Sequence, residues 1–346
     1  MKTISAALAL SLVPSCVADE ENPHFRVHEV GELEIVASFS AAAFETPESV
    51  ALDHDNDAYV SMALTGELRK VGHDGSQETH AVIPLGPPEL CQGPFPGILG
   101  ALAIDVLGNL YVGANACDPS NRGVWRVRPN GKTTLLAPTP ATSLANGIAV
   151  MLGRVYVADS ASPTVWTAAT WKVGAPVEAW TTDPLLADPD PTDLVPGANG
   201  LQFYLDEVLV ANAATHSLVA IPFDVDGLSL EPGPAYVKYG PAEMNPEHEL
   251  PPDFPGCDDF ALDIVGRIYC TTDPFQTVAR IDTDGTVEIL LDASDGIDGP
   301  TAAAFGRGQE RKTVYVTSAA FPFFPGTGAG PSLARFDVEI GGYPLR

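Results

Sequence analysis

Pro47-Glu48-Ser49-Val50-Ala51-Leu52-Asp53 decides how the chain is read. An oxygen-bearing residue leads a short run of small and apolar residues, and an acid then opens a turn. The template returns five more times: Gly100-Ala101-Leu102-Ala103-Ile104-Asp105, Asn146-Gly147-Ile148-Ala149-Val150-Met151, Asn199-Gly200-Leu201-Gln202-Phe203-Tyr204, Asp258-Asp259-Phe260-Ala261-Leu262-Asp263 and Thr301-Ala302-Ala303-Ala304-Phe305-Gly306. Counted between first slots, the steps are 52, 46, 53, 59 and 43 residues. A repeat of this period, built from short strands, is the signature of a propeller blade. Six copies predict an all-β, six-bladed β-propeller.

The rest of each repeat agrees. A second strand follows at 57–60, 109–112, 154–157, 207–210, 267–270 and 313–316, and most copies carry Tyr-Val or a close variant. Turn residues such as Asp55-Asn56, Gly108, Gly153 and Gly266 precede it. Third strands are read at 67–71, 123–128, 165–167, 218–223 and 278–282. The two ends are unequal. A strand at 33–39 precedes the first template, while the last repeat is one strand short. Pairing the N-terminal strand with the last blade closes the ring and removes two exposed edges. Two long connections, 183–198 and 232–256, lead into Asn199 and Asp258 and are expected to sit over the same rim as a lid.

Composition sets the outer limits. The 346 residues carry 45 acidic against 18 basic side chains, a net charge of −27. Such a surface repels nucleic-acid phosphates and anionic membranes, so neither is expected as a partner. Hydrophobic content of 45% supports a core. Residues 1–18 combine Lys2, an apolar run and the small-residue end Cys16-Val17-Ala18, the pattern of an export signal. A lipoprotein anchored at Cys16 is the weaker reading, because Pro14 stands beside that site. Residues 19–32 read as a flexible lead and 33–346 as one propeller. No later stretch is long and apolar enough to span a membrane. Cys91, Cys117, Cys257 and Cys270 form an even set in an exported chain, so disulfides are expected. Three pairings are open; Cys91 with Cys117 and Cys257 with Cys270 are preferred because each pair lies within one repeat.

The first slots form the candidate site. In a propeller the innermost strand of every blade lines the axis, so six positions distant in sequence meet on one rim. Glu48, Asn146, Asn199 and Asp258 offer two carboxylates and two amide carbonyls, a donor set for a hard divalent cation. Calcium is the first choice, with zinc, manganese and magnesium as alternatives. Gly100 leaves space, and Thr301 adds a hydroxyl. Asp259 points away from Asp258 by strand alternation, and takes the ligand role if the register is one residue off. Asp53, Asp105 and Asp263, at the other end of the inner strands, read as turn partners. His216 and His248 read as surface residues. Gly-x-Ser-x-Gly, Walker and dinucleotide fingerprints are absent.

These residues resemble the family of senescence marker protein, gluconolactonase and luciferin-regenerating enzyme. The likeness runs from about Pro47 to Val338. It is carried by Pro47-Glu48, Asn146-Gly147, Asn199-Gly200-Leu201, Asp258 with Asp263, and Pro300-Thr301 with Phe305-Gly306 and Val314-Tyr315-Val316-Thr317. The resemblance implies one central divalent metal held by Glu48, Asn146, Asn199 and Asp258, and a lactonase or related ester hydrolase. Asp258 would be the catalytic acid–base group, and Asn146, Thr301 and Asp259 would bind a small-molecule substrate. Asp258-Asp259 stands where family enzymes usually carry Asp-Gly, and the sequence shows no Arg near Gly100 or Asn146. Two other functions share this fold: a cyclase resembling fungal hetero-Diels–Alderases, and a non-catalytic binding propeller tied together by a structural metal. A monomer is expected.

Overall fold

The computed structural model describes residues 26–27, 30–91, 96–190 and 195–344. The expected export signal, with Cys16 and most of the flexible lead, lies outside the described residues.

Six antiparallel sheets follow one another around a ring. The inner strands are Pro47–Leu52, Ile98–Ile104, Ala145–Met151, Ala198–Tyr204, Phe260–Leu262 and Pro300–Phe305. Each pairs with a second strand, Ala58–Met62, Leu110–Asn115, Arg154–Asp159, Glu207–Asn212, Ile268–Thr271 or Thr313–Ser318. Closure is as expected. Glu34–Ser38 pairs antiparallel with Ser332–Asp337 and becomes the outer strand of blade 6. Arg26–Val27 adds a short parallel strand to Val287–Leu291 on the edge of blade 5.

The repeated Tyr of the second strand explains how the blades hold together. Tyr111, Tyr156, Tyr269 and Tyr315 are among the largest fully buried side chains. Tyr156 meets Phe203 of the next blade edge-on at 5.3 Å, and Tyr269 meets Phe305 likewise at 5.1 Å. Burying an aromatic ring of this size is worth roughly 1.5–3 kcal/mol, and here each ring is shared between blades. The sequence template is therefore a packing template.

The segment 232–256 differs from the expected lid. Its start supplies Tyr236–Tyr239, the outer strand of blade 4. The chain then runs down the outside between blades 4 and 5, where Leu250 and Phe254 are buried in the core shared by those blades. Apolar burial, invisible in a Pro- and Glu-rich stretch, turns the loop into a buttress. Residues 338–344 cross the opposite end of the ring. Gly342 bridges Asp263. Tyr343 N donates to Leu262 O at 2.7 Å, and Tyr343 Oη accepts from Leu205 N at 3.2 Å. Blades 4, 5 and 6 are thus linked on that far face.

Both preferred cysteine pairs are disulfides: Cys91–Cys117 with Cα atoms 4.4 Å apart and Cys257–Cys270 with Cα atoms 5.3 Å apart. The second pins the residue next to Asp258 to the second strand of blade 5. Among the described residues no helix is long and apolar enough to cross a membrane.

Candidate functional site: an acidic centre at the mouth of the ring

Every inner strand is bulged at its first slot. The register against the second strand shifts between Pro47 and Ser49, Leu99 and Leu102, Ala145 and Ile148, Ala198 and Leu201, and Pro300 and Ala302. In blade 5, Asp258 and Asp259 both face Thr271: Asp258 N donates to Thr271 O, and Thr271 N donates to Asp259 O. A bulge sets two residues against one and re-aims the extra side chain out of the ladder. Glu48, Asn146, Asn199 and Asp258 all occupy such positions. The glycines that follow the two Asn residues are required by close approach. A Cβ on Gly147 would collide with Asn199 O, and one on Gly200 would lie 2.7 Å from Asp259 Cα.

Short polar bonds lock the bulges into a ring. Ser61 Oγ donates to Gly100 O at 3.1 Å, Asn115 Nδ2 to Ala145 O at 2.9 Å and Ser160 Oγ to Ala198 O at 2.7 Å. Gly200 N donates to Asp258 O at 2.9 Å. Thr271 Oγ1 lies 3.0 Å from Thr301 O, and Thr301 Oγ1 donates to Pro47 O at 3.0 Å. All six seams carry one of these contacts, so the rim is pre-organised by short bonds to backbone carbonyls.

Glu48, Asp258, Asp259 and Asp273 stand along this rim, each only partly exposed. Burial followed by the charges of Asp273 and Asp259 pushes Glu48 up to about 8. Burial, and then the charges of Glu48, Asp273 and Asp259, holds Asp258 well above the usual carboxylate range. Burial raises Asp259 to about 7, against the pull of Phe260 N–H. Burial and the charge of Asp298 raise Asp273 to about 7. Asn199 Nδ2 donates to Asp258 Oδ1 at 2.6 Å and Phe260 N to Asp259 Oδ1 at 2.8 Å; among the described residues no other side chain bonds any of the four carboxylates. Among the described residues no Lys, Arg or His enters the balance at any of them. Carboxylates crowded without a basic partner, beside two amide side chains, have the donor chemistry of a divalent-cation site. Among the described residues no three His, Cys, Asp or Glu are gathered to hold a metal by themselves; the set proposed from the sequence draws half of its oxygens from Asn.

The structure brings together Glu48, Asn199, Asp258 and Asp259. Asn146 lies on the adjoining bulge, its Nδ2 donating to Ser160 Oγ at 3.2 Å. Thr301 stands apart: it is buried, and its hydroxyl is spent between Pro47 O and Thr317 Oγ1 in the seam. Strand alternation would turn Asp259 away from Asp258; at the bulge both residues face Thr271, and the charge of Asp259 bears on Glu48 and on Asp258. Asp273 was missed, because the second-strand pattern was followed only to Cys270 and the chain reaches the rim three residues later. Arg122 also reaches the mouth face, its Nη1 donating to Ser143 O at 2.6 Å. A cleft of about 680 Å³ lies elsewhere, outside blades 4 and 5, lined by residues that include Tyr204, Tyr239, Met244 and His248. It contains none of the acids, and the bulged rim is the better candidate.

Comparison with known proteins bears on the fold. A luciferin-regenerating enzyme is 16% identical, with a TM-score of 0.61 over 91% of this chain and 98% of that one. A calcium-binding regucalcin from Agrobacterium tumefaciens is 17% identical, with a TM-score of 0.63 over 91% and 98%. A gluconolactonase from Xanthomonas campestris is 14% identical, with a TM-score of 0.59 over 92% and 98%. The chain shares their six-bladed fold. No family model matches its sequence, and no curated protein does. The likeness extends over nearly the full length of each structure, so no blade is missing from the ring.

Proposed function

We propose that this propeller is a divalent-cation-dependent hydrolase of the lactonase or ester-hydrolase type, acting at the acidic mouth of the ring. The observation that carries the reading is four partly buried carboxylates that, among the described residues, have no basic partner: Glu48, Asp258 and Asp259 share four of the six bulges with Asn146 and Asn199, and Asp273 stands beside them. Glu48, Asn146, Asn199 and Asp258 would hold the cation, calcium first and zinc, manganese or magnesium as alternatives. When bound, such an ion polarises a carbonyl and lowers the pKa of water. The chain's own residues do the rest. Asp258, fixed by Asn199 and the Cys257–Cys270 disulfide, accepts the proton of the attacking water. Asp259 and Asp273 flank it and repel anions, which selects a neutral ester. Asn146 orients the substrate from the neighbouring bulge. The gluconolactonase and calcium-binding regucalcin neighbours support this reading, and the two disulfides support an exported protein.

The test is hydrolysis of a lactone panel by the full chain, with and without chelator. Turnover is expected to disappear in chelator, to return with calcium, and to be lost in Asp258→Ala. Hydrolysis indifferent to both would sink the mechanism. A melting temperature that drops on chelation, with no turnover of any lactone, would favour the binding propeller instead.

A further inference from the structure

Loop 319–331 joins the second and third strands of blade 6 on the same face as the acidic centre. It contains Phe321-Pro322-Phe323-Phe324. Phe323 and Phe324 are 55% and 45% exposed. Phe321 stacks on Phe323 at 5.5 Å between centroids, and Phe324 stands edge-on to both at 6.4 and 6.0 Å. Phe275, two residues past Asp273, is a further exposed ring at 46%. Isolated exposed rings are ordinary; a packed cluster of three in a chain this acidic is not.

The loop is held, not draped. Buried Asp298 accepts from Thr327 N at 2.9 Å, and from Gly328 N and Gly330 N at 3.1 Å each. Gln276 reaches across from blade 5, donating to Pro325 O at 3.4 Å and accepting from Gly299 N at 2.6 Å. The anchor is also the wall of the acidic centre: a Cβ on Gly299 would lie 2.7 Å from Asp273 Oδ1. The loop that carries the aromatic cluster is therefore tied to the acidic centre through Asp298, Gln276 and Gly299. Apolar area placed on a platform that the fold already holds counts toward affinity.

We infer that this Phe platform binds the apolar body of the substrate, and that the substrate class is a neutral lactone or ester carrying an alkyl or aryl group rather than a polyhydroxylated sugar lactone. The inference rests on the hydrolase reading for the reacting group only. The acidic chain and the four carboxylates disfavour anionic ligands, and Arg122, a cation on that face, is engaged by Ser143 O. Aromatic faces grip alkyl and aryl groups by dispersion and desolvation.

The experiment is equilibrium binding by calorimetry, which needs no turnover and so separates this proposal from the hydrolase reading. γ-Dodecalactone and γ-butyrolactone are titrated into the full chain, into Phe323→Ser/Phe324→Ser, and into Phe323→Leu/Phe324→Leu. A control, Val225→Ser/Leu228→Ser, removes apolar surface from a distant hairpin of blade 4, where both residues are 62% exposed. The wild-type chain should prefer the long lactone. The Ser variant should lose that preference by about tenfold, roughly 1.4 kcal/mol; the Leu variant and the control should keep it. An unchanged preference in the Ser variant, equal losses for both lactones, or no binding of γ-dodecalactone by the wild type would overturn the proposal. So would a Ser variant that binds the lactone normally but loses co-sedimentation with neutral phosphatidylcholine vesicles, which would make the platform a lipid contact.

Discussion

The two ends of the inner strands carry the same chemical group in opposite circumstances. At the far end, Asp53 Oδ1 accepts from Asp55 N and Asp57 N, and Asp105 Oδ1 from Leu107 N and Asn109 N. Asp263 Oδ1 accepts from Val265 N and Arg267 N, while its Oδ2 pairs with Arg267 Nε at 2.6 Å. These carboxylates hold turns. At the mouth, among the described residues, the carboxylates of Glu48 and Asp273 have no such partners, Asp258 has only Asn199, and Asp259 has only the N–H of Phe260. The difference is created by backbone. A tight turn offers N–H groups to an acid, whereas a bulge pushes an acid away from the ladder. Recurrence of an acid in a repeat is therefore not evidence of a site; recurrence without partners is.

Exchanging the same substitution between the two ends should break the comparison most sharply. Asp258→Asn should weaken cation binding by more than about 100-fold, beyond the usual cost of losing an outer-shell partner, while the chelated protein keeps its melting temperature. Asp263→Asn should leave cation affinity intact and destabilise the fold by about 3 kcal/mol, because it leaves Arg267 half-buried without its charge partner. Titration calorimetry and denaturant unfolding read the two effects.

The pH dependence of the chelated protein sharpens the contrast. Glu48 near 8, with Asp259 and Asp273 near 7, titrate above their unfolded values. The folded state thus holds more protons than the unfolded one between about pH 4 and 8, and stability falls as pH rises through that window. Melting temperature in chelator should decline from pH 5 to 8, and the decline should be shallower in Glu48→Gln. Saturating calcium should flatten it. The smallest effect belongs to the seam. Thr301→Val removes one hydrogen bond to Pro47 O and should cost about 1 kcal/mol, with cation affinity unchanged.

Much of this was legible in the sequence. The period of the first slots, the Tyr-Val second strands and the missing strand of the last repeat together predicted the ring and its closure. Cys91–Cys117 and Cys257–Cys270 followed from keeping each bridge inside one repeat. Asp273 was hidden because it lies past the end of the recognisable strand pattern, where other blades carry residues as different as Ala63, Asn115 and Ser160. The place of Asp259 was hard to read because period-two alternation holds only in an unbulged strand. The buttress at 240–256 was hidden because two buried residues, Leu250 and Phe254, decide its path against a polar background. Those features depend on contacts between blades, which no single repeat encodes.

The most direct measurement is the divalent-cation content and affinity of the purified chain, wild type against Glu48→Gln. One cation per chain, bound by the wild type and lost in Glu48→Gln while Asp263→Asn retains it, is the predicted result. A wild-type chain that binds no divalent cation, or binding that survives Glu48→Gln unchanged, would contradict the assignment of the mouth as a cation centre.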